Sequence, residues 1–190
     1  MRGVIAFVLA LTSALPVHSE GPIFRHKDGK VDQEFEQVYQ DLKNRSVTNW
    51  AAFTPTGAWT ANVTYTGFYR RVGEMMEVQF RIICSGAPTA AAPTITIPNS
   101  LTIDTTKLLE ADDATSPLDG HIMILDSGAA RHVGRVMYGT STAVKFSYLD
   151  DGAAAVNLLA ITGNTVPITY AANDTINGFF RVPITGWSAR

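Results

Sequence analysis

Cysteine is almost absent. Cys84 stands alone in 190 residues, so no disulfide can form within the chain. Charge is also scarce: Asp, Glu, Lys and Arg make up 17% of the sequence and the net charge is −2, below the usual quarter for a soluble domain. No basic stripe occurs, which removes the electrostatic case for nucleic acid or an anionic membrane as partner. The four histidines show neither HxH nor HExxH spacing and no loop has EF-hand spacing, so no metal site is expected. No cofactor is expected either. There is no internal repeat and no low-complexity segment.

The longest apolar run, Val4–Leu15, is too short to span a bilayer. It follows Arg2 and precedes Val17 and Ser19, which are small enough for the −3 and −1 positions of a cut after Ser19. Residues 1–19 therefore read as a secretory signal, giving a secreted, periplasmic or cell-surface protein with no membrane insertion once the signal is removed. The competing reading is a retained apolar anchor or a buried N-terminal helix; recovery of an exported chain with Met1 intact would sink the signal. Residues 20–30, with Gly, Pro and mixed charge, form a flexible lead-in.

Residues 31–49 change character. Val31, Phe35, Val38 and Leu42 fall at spacings of four, three and four, a helical a/d seam, with Asp32 placed to cap it. Glu34 and Glu36 sit early and Lys43 and Arg45 late, as the helix dipole favours. About two heptads are too short to hold a coiled coil alone. The segment reads as a stem whose partners are held by something larger, against the alternative of one amphipathic helix lying on the domain.

From Trp50 to the end, residues 50–190, the sequence is β throughout. Runs rich in Val, Ile, Thr and aromatics alternate with turn residues. Strands are expected near Ala61–Arg70, Met75–Cys84, Thr94–Ile97, Leu101–Ile103, His121–Leu125, His132–Tyr138, Ala143–Leu149, Ala155–Ile161, Val166–Tyr170 and Thr175–Ile184. The strongest signal is the hairpin Tyr65–Cys84, turning at Arg71–Glu74. Met76, Val78, Phe80, Ile82 and Cys84 face a core, while Glu77, Gln79 and Arg81 face water or a neighbouring protomer. No helical crossover interrupts the strands, so the expected fold is an all-β, antiparallel jelly-roll sandwich.

Three segments in order, YRRVGEMMEVQFRIICSGAPT, TITIPNSLTIDTTKL and ANDTINGFFRVPITGW, resemble the receptor-binding tip domains of bacteriophage tail fibres. Glu74 stands where Asp is common in that family. The resemblance covers Trp50–Trp187 and implies a C1q/TNF-like jelly roll assembled as a homotrimer. Together with the export signal it is similar to the phage-fibre-like mosaic adhesive trimers of predatory bacteria. The implied function is an adhesin that binds a cell-surface receptor, above all a glycan. A structural fibre cap without ligand and a glycan-degrading fibre enzyme are the alternatives.

No catalytic residue is expected. Cys84 with His121 or His132 lacks an oxyanion signature, and Asp112-Asp113 and Asp150-Asp151 read as solvated loop charge. Three glycosylation sequons, at Asn44, Asn62 and Asn173, are coincidental in a bacterial protein. Strand parity locates the binding loops. If the chain rises along Ala61–Arg70, the Arg71–Gly73 turn lies at the far end with the loops carrying Asp126, Arg131, Asp150, Asp151, Asn173 and Asp174. These groups suit directional hydrogen bonds to glycan hydroxyls.

Overall fold

The computed structural model describes residues 33–44, 47–111, 117–150 and 157–187. The leader at 1–19, the lead-in, Val31, the capping Asp32 and Asp151 lie outside the described residues. Among the described residues no helix is long and apolar enough to cross a membrane. The chain divides into two units, Met1–Lys43 and Asn44–Arg190.

The first unit carries helix α1, Gln33–Asn44, which contains Phe35 and stops five residues short of the expected end. A Gln40 Nε2 to Glu36 Oε1 hydrogen bond of 2.9 Å spans one turn. Val38 and Leu42 are 54% and 57% exposed.

The second unit is all-β, with nine antiparallel strands: β1 Ala51–Phe53, β2 Val63–Val72, β3 Met75–Cys84, β4 Thr94–Thr96, β5 Pro117–Leu125, β6 Arg131–Thr140, β7 Ala143–Asp150, β8 Asn157–Ala160 and β9 Thr175–Pro183. Their order is β1-β2-β3-β9-β5-β6-β7-β4, with β8 also paired to β7, on the same edge as β4 and farther along the strand. Strands β5, β6 and β7 meander and β4 returns beside β7, a Greek key. β9 is inserted between β3 and β5.

The hairpin β2–β3 forms as its alternation predicts. Ten pairs run unbroken from Val63↔Cys84 to Val72↔Met75. Gly73, at φ 61, takes the left-handed position that this two-residue loop demands.

The sheet curls on itself. Phe80 and Phe146 stack at 5.2 Å between ring centroids, although four inter-strand steps separate β3 from β7 along the sheet. Laid flat, those steps would span about 19 Å at the usual strand spacing. The two ends of the sheet are then stitched together. Thr96 N donates to Thr56 O at 2.8 Å, and Ala58 N donates to Thr94 Oγ1 at 2.9 Å. The stretch following β1 thus runs along β4, and a sandwich-like roll results.

Its interior is built in rows. Gly67, Phe80, Gly178, Ile122, Gly134 and Tyr148 lie side by side across six strands. A methyl placed on Gly178 would lie 2.5 Å from the Phe80 ring, so this large ring occupies the space that glycine leaves open. Trp59 and Tyr170 close the core beside them, edge to face at 4.8 Å.

Two expected strands do not form. Leu101–Ile103 contributes only an isolated bridge, Ile103↔Ile184, because Asn99 and Ser100 take positive φ just before it. Val166–Tyr170 is irregular although Ile168 and Tyr170 are buried; Pro167 has no N–H to give a ladder. Conversely, β1 was not expected. Its short Ala-Ala-Phe run lacks the β-branched signature, yet it pairs from Ala51↔Tyr69 to Phe53↔Gly67.

That strand reverses one assignment of direction. Val47 bridges Val72, and Thr48 N donates to Arg71 O at 3.0 Å, so the chain joins the domain beside the Arg71–Glu74 turn. The chain then ascends along β1 and descends along β2. The hairpin turn lies at this root end and not at the far end. Arg71 also clasps the close of the domain, donating to Trp187 O at 2.7 Å and stacking on the Trp187 ring.

Candidate functional site

The end opposite the root, the crown, gathers loops from four parts of the chain. Register sets them there: Leu125 pairs with both Thr175 and Arg131, and Ile83 pairs with Thr175. The turn at 126–130, the end of β7, the stretch after Cys84 and the loop before β9 therefore share one end. Of the six residues expected to bind ligand, five are described and all five lie at or beside the crown.

Their roles divide sharply. Asp174 is 2% exposed and does not face solvent. Its Oδ1 accepts from Ser127 N at 2.8 Å and its Oδ2 from Ala171 N at 2.7 Å. Its carbonyl accepts from Cys84 N at 2.9 Å. One carboxylate thus ties the β5–β6 turn to the loop before β9, with charge-assisted bonds on both oxygens. Asp174 is a positioning residue.

Asn173 is exposed at φ 73, a conformation that asparagine accepts more readily than most residues, and its N–H bonds Cys84 O at 2.8 Å. Asp126 starts a tight turn closed by its own N–H to Ala130 O at 3.0 Å. Ser127 to Arg131 are exposed. Asp150 ends β7 opposite Asn157, and both residues are engaged within the fold.

Sequence reasoning missed other crown groups. Asn62, also at positive φ, donates through Nδ2 to Ala87 O at 2.8 Å, and Asn164 donates to Pro88 O at 2.9 Å. For Asn164 the preceding Gly163 was the available signal. The crown offers carboxylates, a guanidinium, amides and backbone groups on a rigid frame, a surface suited to directional hydrogen bonding.

Cys84 lies just beneath the crown in the core. Burial, and then the nearby Asp174 carboxylate, push its thiol up to about 11, so it stays protonated at neutral pH. His121 is on the outer face of the sheet, and His132 is three strands away from β3. Neither forms a pair with Cys84. Among the described residues no cluster of three or more His, Cys, Asp or Glu could hold a metal.

The outer face carries a second arrangement that alternation alone would not find. Arg70, Glu77, Arg181 and Asp119 stand in one register row across β2, β3, β9 and β5. Glu77, expected in water, is 1% exposed. Arg70 Nε reaches its Oε2 at 2.5 Å, and Arg181 binds its Oε1 through two nitrogens, Nε at 2.7 Å. Trp50 covers Arg70 at 4.6 Å. Burial alone would raise the Glu77 carboxyl, but the hydrogen bonds and charges of the two arginines together outweigh it and hold it below the ordinary glutamate range. Beside this row, at the root, opens a groove of about 370 Å³ lined by Met75, Lys107, Leu108, Leu118 and Arg181.

No protein-family model and no curated protein matches the chain. Among solved structures, avian reovirus sigmaC, residues 117–326 in a C2 crystal form, aligns at a TM-score of 0.37 and 12% identity, over 96% of this chain and 87% of that chain.

Proposed function

We propose that this chain is an exported, fibre-tip-like adhesin that works as a homotrimer and binds a cell-surface ligand, a glycan, through its crown loops. The supporting observation is the convergence of separate polar loops at the end opposite the root, braced from below by Asp174. A braced platform binds with little ordering cost, because its loops are already fixed. Each site is weak and three together are strong; linked sites gain ~10²–10⁴ over one. The exposed Val38 and Leu42 on α1 fit a stem that associates once the tips hold three copies together.

The test is binding of the purified full chain to glycan arrays and intact cells. Arg131→Ala should lower binding about tenfold, the loss of one charge-assisted contact, while the thermal midpoint stays unchanged. Asp150→Ala should lower binding as much, measured well below its own thermal midpoint because Asp150 is also engaged within the fold. Binding that survives both changes would refute the crown as the site. Silence on every array and cell panel would leave a structural cap, and release of reducing sugar would establish a glycan-degrading enzyme.

A further inference from the structure

The outer face of the β domain exposes an apolar stripe that no part of the described chain covers. One register row runs from Arg81 through Asn177 to Met123 and Val133. Leu149 follows, since Gly134 pairs with Tyr148, and Leu158 pairs with Leu149. Met123, Val133, Leu149 and Leu158 are all exposed. Arg81 lies in this row and Arg135 beside it, both exposed. Among the described residues neither guanidinium has a hydrogen bond or ion pair. The largest exposed apolar patch of a soluble domain is often functional, and methionine and arginine are enriched at protein interfaces.

A complementary surface lies on the same domain. At the rim of the root groove Leu109 is wholly exposed, next to exposed Glu110, while Glu74 is paired with Lys107 and Asp119 lies 3.9 Å from Arg181. The stripe is apolar and basic; the rim offers an apolar side chain and the Glu110 carboxylate. Among the described residues Arg81 and Arg135 make no ion pair with the rim of their own domain.

We propose that these two surfaces meet between copies of the chain: the stripe framed by Arg81 and Arg135 on one copy receives Leu109 and Glu110 of the next. A second copy is the occupant favoured over a foreign partner because the complementary charges are both present on this chain. Because the two patches differ, the contact is heterologous, and such contacts form a ring when their rotation closes and a filament when it does not. The proposal rests on the self-associating form of the adhesin and supplies its contact residues.

The experiment is sedimentation of the full chain at a series of concentrations. Arg81→Glu with Arg135→Glu, and separately Glu110→Arg, should each weaken assembly at least about tenfold, since like charges then face each other. Circular dichroism should be unchanged because all three sites are exposed. Combining the three changes should restore assembly. One-sided reversals that leave the mass unchanged, or a combined variant that stays dissociated, would overturn the contact while leaving crown binding a separate question. A wild-type chain that is monomeric throughout would overturn the contact and the trimer together, and crown binding would still be read on arrays.

Discussion

Glu77 is held on a sheet surface by two arginines that themselves keep contact with water, their side chains 32% and 44% exposed. Removing the charge leaves Arg70 and Arg181 facing each other. Glu77→Gln should cost about 2 kcal/mol at neutral pH, less than a fully buried pair because solvent screens the guanidinium groups. The folded carboxyl titrates below its unfolded value, so the stabilisation is complete above about pH 4.3. It fades as the pH falls through the lower folded value. Melting curves of both proteins between pH 7 and pH 2.5 would show the wild-type advantage shrinking in acid; a constant difference would contradict the pairing. This role was hidden in the sequence. Alternation places Glu77 on the outer face correctly, but burial there depends on register with Arg181, about a hundred residues away. Asp174 was misread for the converse reason. It sits in a polar loop, and only the fold brings the Ser127 and Ala171 amides to its carboxylate.

At the scale of elements, what was legible depended on local chemistry. The β2–β3 hairpin has a period of two and a glycine at the position that needs positive φ, so strand limits, turn and core face all follow. The stretch 166–170 has the same apolar content, and its Ile168 and Tyr170 do reach the core, but Pro167 withholds the ladder. β1 carries no β-branched residue and forms because the edge of β2 is there to receive it. Missing that one strand put the Arg71–Glu74 turn at the wrong end, while the crown loops stayed together because hairpin counting among β5–β9 was sound. The interior row in which large side chains alternate with glycines gives a further test. Gly178→Ala forces its methyl into the Phe80 ring, which is itself stacked on Phe146. The expected loss is about 1–3 kcal/mol, as for overpacking elsewhere, read from chemical denaturation. Phe80→Leu in the same background should recover part of it; no recovery would place the strain outside this row.

For the whole domain, both chain passages lie at the root. Val47 and Thr48 are bonded to β2, and Trp187 is clasped by Arg71. A tether leading away from Val47 and a grip on the crown would therefore pull along the strand axes. Ladder hydrogen bonds lie perpendicular to those axes, so tension in that direction loads many of them sideways at once. Pulling Val47 against Trp187, both at the root, would instead unzip the strands from that end pair by pair. Single-molecule extension of the full chain should show a clearly higher rupture force for the Val47–Ala129 geometry than for Val47–Trp187; equal forces would refute the collective loading. Arg71 thus acts as a mechanical clip: while its bonds hold, stress arriving at the root is delivered to β2 and shared with the sheet.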